Sequence, residues 1–100
     1  MKIVPIKELR YASKIAETLH KEPVFITKNG YGDMVVVSLD MIPDKKYLDY
    51  SERISLRDLQ KTNDVSILCH EESKPVVVTY HGHDIYTIMS IEVHEKIFNQ

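Results

Sequence analysis

Cysteine is almost absent from this sequence, since its 100 residues include only Cys69. A single thiol cannot form the disulfide framework that holds small secreted proteins together. The apolar runs are also far shorter than the roughly 18 residues that a membrane-spanning helix requires. The first residues contain no apolar core of a signal peptide. We therefore expect a cytoplasmic protein without a membrane segment.

Glycine is scarce as well, with three residues, and motifs of common enzyme classes are missing. The chain contains no phosphate-binding loop, dinucleotide fingerprint or pair of catalytic acids. Cys69 precedes His70, but neighbouring side chains on a helix point about 100° apart and do not form a nucleophile–base pair. The sequence therefore favours a protein that is not an enzyme and uses no cofactor.

A metal site is the other chemistry that the histidines suggest. His81 and His83, together with His70 and Cys69, are residue types that bind zinc. The first two fall in a predicted hairpin turn, however, and Cys69 takes the place of an apolar core residue. We therefore expect structural roles for these residues and no metal site.

Charge of one sign is not dominant, because 13 Lys and Arg face 15 Asp and Glu, a formal net charge of −2. This balance gives no general support for nucleic-acid binding. The residues before Asp33 differ, since they contain six Lys and Arg but only three glutamates. If the protein binds an anionic polymer, the first third of the chain is therefore the expected surface.

The sequence contains an internal repeat. An offset of 50 places residues 6–9 on 56–59 and His20 on His70; after the two extra residues Ser73 and Lys74, an offset of 52 places residues 23–27 on 75–79. Eight of the 37 positions from 6 to 42 are identical, against about two expected by chance. We interpret the chain as a tandem duplication, with a first unit over 1–43, a linker over 44–53 and a second unit over 54–100.

Each unit shows the same pattern of an α+β fold. In the first, a short edge strand containing Pro5 precedes an amphipathic helix that begins at Ile6. A hairpin follows over 24–37, with its turn at 29–33, and Ser38 or Asp40 is expected to cap a last helix. Gly30, Gly32 and Gly82 are interpreted as turn residues with positive φ. In the second unit the last helix is predicted over 91–98.

A unit of about 50 residues with two or three strands buries too little surface to be stable alone. We therefore expect the two copies to pack on one another as a pseudo-dimer. The apolar strands at 35–37 and 76–78 are expected to be buried on both faces of the sheet.

The segments 6–10 (IKELR) and 23–38 (PVFITKNGYGDMVVVS) resemble the prevent-host-death (Phd/YefM) antitoxins of type II toxin–antitoxin modules. The resemblance covers residues 3–42, and residues 54–97 look like a degenerate second copy. It implies a β-α-α-β-β-α unit that dimerises, binds the operator of its own operon and neutralises a toxin, here of the ribonuclease type, through a charged C-terminal tail. No such tail follows Phe98, so the resemblance supports DNA binding more strongly than toxin binding.

The family's motif positions imply that Arg10 and Lys28 contact DNA. The second copy carries Gln60 and Tyr80 at these positions, so both cations are lost there. Lys2, Lys7 and Lys14 are further candidate phosphate contacts.

Two functions remain open from the sequence. The first is a transcriptional regulator of the antitoxin type that represses its own operon and self-associates to read a symmetric operator. Arg10 and Lys28 favour this function. The alternative is a protein-interaction module that binds a toxin or another partner through the segment 47–50 or the second copy, without contacting DNA.

Overall fold

A six-stranded sheet forms the centre of the computed structural model, which describes residues 2–11, 15 and 22–99. Two α-helices and four 3-10 helices accompany it in the described part of the chain. The strands are β1 (Lys2–Pro5), β2 (Val24–Lys28), β3 (Tyr31–Ser38), β4 (Arg53–Ser55), β5 (Val76–Tyr80) and β6 (His83–Ser90). The α-helices are α1 (Thr62–Glu71) and α2 (Ile91–Phe98), and the 3-10 helices are Ile6–Tyr11, Leu39–Met41, Lys45–Leu48 and Leu56–Gln60. The expected mixture of helices and sheet is confirmed.

The strand order of the sheet is β1-β2-β3-β6-β5-β4. The outer strands β1 and β4 run parallel to their neighbours β2 and β5. The hairpins β2-β3 and β5-β6 are antiparallel, and β3 pairs with β6 in the middle, also antiparallel. The three strands of the first half therefore occur in the same relative arrangement as the three strands of the second half.

The register of the central pair is symmetric about one position. Val36 lies opposite Ile88, and these two residues correspond in the sequence alignment at offset 52. On either side, Met34 lies opposite Ser90 and Ser38 opposite Tyr86. The two hairpins are therefore joined about the middle of β3 and β6, and each side of this pair has a counterpart on the other.

Both hairpins contain a β-bulge at the same place. The register shifts between Ile26 and Thr27 in the first, and between Val78 and Thr79 in the second. Next to each bulge a threonine hydroxyl donates to the outer strand: Thr27 to the Val4 carbonyl at 3.5 Å and Thr79 to the Ile54 carbonyl at 3.3 Å. A bulge increases local twist and redirects side chains, and in the first hairpin Asp33 is the unpaired residue at the bulge.

The hairpin turns are shorter than the sequence predicts. Asn29 and Gly30 have φ values of 53° and 82°, which is typical of a two-residue turn, and β3 starts directly at Tyr31. His81 and Gly82 repeat this geometry at 50° and 79°. The predicted positive φ is confirmed for Gly30 and Gly82. It is wrong for Gly32, which lies within β3 beside the bulge.

Substitution of Gly30 by alanine is expected to lower the free energy of unfolding by about 1–2 kcal/mol, because an L residue is strained at this φ. Gly82→Ala should have an equal effect, since space is open around both glycines and only the backbone conformation matters. Gly32→Ala is the matched control: its Cβ would lie 3.6 Å from the Ile91 side chain, an ordinary contact. Urea unfolding that shows equal losses at all three positions would contradict this assignment.

The sheet is buried on both faces, as the sequence predicts. The first face carries a core from both halves that includes Leu9, Val36, Leu59 and Ile88, all fully buried. It is covered by α1 and by the 3-10 helices Ile6–Tyr11 and Leu56–Gln60. The second face carries a smaller core that α2 covers; its buried members are Val35, Val37, Ile42, Met89, Val93 and Ile97.

The edge strand, the hairpins and the last helix at 91–98 are confirmed, but the helix expected after Ser38 is wrong. Only the 3-10 turn Leu39–Met41 forms there, and the Ser38 side chain makes no cap hydrogen bond. Ile42 is extended, with ψ of 121°, because a residue before proline avoids the helical region and Pro43 follows. In the second half Ser90 does cap its helix, accepting from the Val93 amide at 3.2 Å.

The predicted linker is more ordered than a simple connection. It contains the 3-10 helix Lys45–Leu48, whose Tyr47 and Leu48 pack against the core of the second face.

The predicted first helix is a 3-10 helix up to Tyr11, with Ile15 helical and buried, and the rest of that prediction lies outside the described residues. No helix in the described part of the chain is long and apolar enough to cross a membrane.

Candidate nucleic-acid interface

A surface groove of about 660 Å³ lies between the 3-10 helices Ile6–Tyr11 and Leu56–Gln60, on the first face of the sheet. Arg10 and Tyr11 contribute to it from the first half. The second half supplies the remaining lining residues, which are Ser55, Leu56, Arg57, Gln60, Thr79, Tyr80 and His81. Both halves of the chain therefore form this groove, and we refer to it below as the junction groove.

The 3-10 helix Leu56–Gln60 is held in place by its N-terminal cap. The Ser55 hydroxyl accepts from the Asp58 amide at 3.3 Å, and the Asp58 carboxylate accepts from the Ser55 amide at 2.9 Å. These hydrogen bonds lower the pKa of Asp58. Leu59 points into the core, so that Arg57 and Gln60 remain exposed at the groove. The local sequence therefore fixes the backbone that presents Arg57.

The charge of the junction groove is entirely positive among its described lining residues. Arg10 and Arg57 are both exposed, and none of the nine lining residues is an aspartate or glutamate. A guanidinium group presents several donors in a planar fork, which suits phosphate oxygens and the edge of guanine. The groove is therefore complementary to an anionic ligand.

Aromatic rings lie beside these cations. The Tyr80 side chain is 53% exposed, and its ring meets the His81 ring edge to face with the ring centres 4.1 Å apart. His81 belongs to the tight turn of the second hairpin, so its backbone is fixed. The groove thus combines guanidinium groups with an exposed aromatic face.

Lys28 lies outside the junction groove. It ends β2, and its ammonium group donates to the Asn63 side-chain oxygen at 3.1 Å. Asn63 is in the first turn of α1, which starts beside the exposed Lys61. Lys28 therefore lies beside the first turn of α1, which also carries the exposed Asp64.

The other predicted contacts are dispersed. Lys7 is exposed on the 3-10 helix Ile6–Tyr11, and Lys2 is half-buried at the start of the edge strand β1. Lys14 lies outside the described residues. The structure thus places Arg10 in the groove, whereas neither Lys2, Lys7 nor Lys28 lines it.

A polar cluster connects the two halves at the bulge of β3. The Asp33 carboxylate accepts from the buried Ser66 hydroxyl at 2.7 Å, and its other oxygen lies 2.9 Å from His70 Nε2. Ser66 and His70 are one turn apart on α1, so they face the same side. This cluster orients α1, and with it Asn63, which accepts from Lys28 in the first turn of the helix.

The residues considered for metal binding or catalysis are separated in the fold. Cys69 is buried in the core, which raises the pKa of its thiol to about 12 and keeps it in the unreactive neutral form. His81 lies in the hairpin turn and His83 begins β6. Within the described residues, no three His, Cys, Asp or Glu side chains are grouped closely enough to hold a metal ion.

Sequence reasoning missed Arg57 and the contribution of Tyr80 to the groove. The signal for Arg57 was present, because the offset of 50 aligns it with Lys7. The Asp33 cluster had no comparable signal, since Asp33 is more than 30 residues from Ser66 and His70 in the chain, and the residue aligned with Asp33 in the second half is Ile85. Searches against protein-family models, curated proteins and solved structures find no match to this chain.

Proposed function

We propose that the protein is a DNA-binding transcriptional regulator of the antitoxin type that represses its own operon. The observation that carries this proposal is the exposed cationic surface on the first face. Arg10 and Arg57 line a groove without a carboxylate among its described lining residues, and Lys28 reaches the start of α1. Phosphate contacts from such residues supply most of the affinity of a protein for duplex DNA.

The proposal includes a tandem duplication of a β-α-α-β-β-α unit, with residues 1–43 and 54–100 packed as the two protomers of a Phd/YefM dimer would pack. Three observations support it. The strand pairings correspond in type and register, the threonines beside the bulges make corresponding hydrogen bonds, and Leu9 and Leu59 are both fully buried in one core. A single chain thereby provides the surface of a dimer.

The two halves are expected to act unequally on DNA. Arg10 and Lys28 are cations, whereas their counterparts Gln60 and Tyr80 are neutral. We therefore assign phosphate binding to Lys28, and phosphate or guanine contact to the longer, forked side chain of Arg10. One chain then recognises one half-site, and two chains associate on a symmetric operator.

The test is a gel-shift titration with duplex DNA from upstream of the gene, between about 50 and 200 mM salt. Arg10→Gln and Lys28→Gln should each weaken binding, and together they should lower the salt slope by about 0.9 per lost phosphate contact in each bound chain. Lys96→Gln, an equal charge change on α2 at the opposite face, is the matched control. Unchanged affinity and slope in the folded double variant would overturn the proposal.

A second candidate function rests on Tyr50, in the segment between the halves. Its side chain is 97% exposed and its φ is 62°, an uncommon conformation for a bulky residue. Lys74 holds this segment, donating to the Asp49 carbonyl at 2.9 Å with its ammonium 5.8 Å from the centre of the Tyr50 ring. A toxin of the ribonuclease type, or another protein, would dock on this side chain. Tyr50→Ser should then abolish binding of the toxin encoded beside the gene while leaving DNA binding unchanged.

A further inference from the structure

We infer that the junction groove binds an unpaired nucleotide segment of single-stranded DNA or RNA, a ligand that goes beyond the proposed binding of duplex DNA. The groove has the size of a ligand site, since its volume of about 660 Å³ lies within the usual range of roughly 300–1,000 Å³. Arg10 from the first half and Arg57 from the second each contribute an exposed guanidinium group to it. Each guanidinium group can bind a phosphate of a nucleic-acid strand that lies in the groove.

Tyr80 is the residue of the groove that favours an unpaired strand over a duplex. Its ring is about half exposed and is oriented by the His81 ring, which contacts it edge to face. Bases of a duplex are stacked on each other and offer no face to a side chain unless they are flipped out. An unpaired base can stack on Tyr80 while Arg10 and Arg57 bind the phosphates, the combination that single-strand-binding grooves use.

This inference also gives the second half a role in binding. Tyr80 occupies the repeat position of Lys28, and Gln60 that of Arg10. Replacement of the cation by a ring removes a duplex phosphate contact and adds a stacking surface. Thus the Lys28 side of the protein is suited to duplex DNA, and the Tyr80 side to an unpaired strand.

The test measures fluorescence anisotropy of labelled oligo(dT) and oligo(rU) of about 10 nucleotides, close to the site size of single-strand binders. Tyr80→Leu should weaken binding at least about fivefold, because it removes one base-stacking contact, whereas Tyr80→Phe should retain it. Arg57→Gln should lower the salt slope by about 0.7, the value for one phosphate of a single strand. Circular dichroism checks that each variant is folded. A preference for one of the two oligonucleotides identifies the source of the strand.

Lys28→Gln separates this inference from the proposed function, because Lys28 does not line the groove. Lys28→Gln should weaken duplex binding and leave oligonucleotide binding unchanged. Tyr80→Leu should weaken oligonucleotide binding and leave duplex binding unchanged. The inference would be overturned if Tyr80→Leu bound both oligonucleotides like the unmodified protein, or if Tyr80→Phe lost as much affinity as Tyr80→Leu. If the protein bound the oligonucleotides but no duplex DNA, the proposed function would be wrong and this inference would not be affected.

Discussion

Replacement of Leu59 by alanine is expected to lower the free energy of unfolding by about 2–5 kcal/mol, the range for truncating a fully buried leucine. Leu59 is completely inaccessible to solvent in the core of the first face. Because this core also contains Leu9 and Val36 from the first half, the loss should affect both halves together. A stability of 5–15 kcal/mol is typical for whole domains, so the change is a large fraction of the total.

Urea denaturation followed by far-ultraviolet circular dichroism measures this effect. Ile67→Ala is the matched control: it lies on α1, is 50% exposed, and should change stability by about 0.5 kcal/mol or less. The Leu59→Ala protein should still unfold in a single transition at lower urea concentration. Two separate transitions, or equal losses in both variants, would contradict a core shared by the two halves.

Asp33→Ala is expected to lower the free energy of unfolding by about 1–3 kcal/mol, the cost of leaving a buried hydrogen-bonding group unsatisfied. The Ser66 hydroxyl is buried and would lose its acceptor, and His70 would lose its carboxylate partner. Because Asp33 belongs to β3 and the other two residues to α1, this loss acts on the contact between the halves. Asp40→Ala, an exposed carboxylate after the same strand, is the control.

A double-mutant cycle tests whether Asp33 and Ser66 act as a pair. Ser66→Ala removes the buried hydroxyl, so the Asp33→Ala/Ser66→Ala protein should recover part of the stability that Asp33→Ala loses. The interaction energy is the departure of the double variant from the sum of the single variants. Strictly additive losses would mean that the 2.7 Å hydrogen bond contributes nothing to the association of the halves.

The elements that the sequence predicted well have strong local signals. Asn29-Gly30 favours a tight turn with positive φ and is flanked by apolar strands, so the sequence alone predicts the first hairpin. The repeat alignment carried this assignment over to β5 and β6. Pro5 likewise restricts its strand to an edge of the sheet, where β1 lies.

The sequence-based predictions are wrong or incomplete where two local signals compete, or where the residues in contact are far apart in the sequence. Ser38 is an acceptable helix cap, but Pro43 keeps Ile42 extended and only a 3-10 turn forms. The position of Gly32 shortly after Asn29-Gly30 predicts a turn residue, yet the turn is already complete at Gly30. The junction groove could not be predicted, since it depends on how the two 3-10 helices pack together.

The most direct test of the account compares two duplexes of equal length and base composition: the DNA upstream of the gene and a shuffled version of it. Affinities are measured at about 0.15 M salt, where non-specific electrostatic binding is weakened. A regulator that recognises an operator should bind the upstream duplex roughly 10³-fold or more tightly than the shuffled one, and Arg10→Gln should reduce this ratio. Equal affinities for the two duplexes would contradict the account.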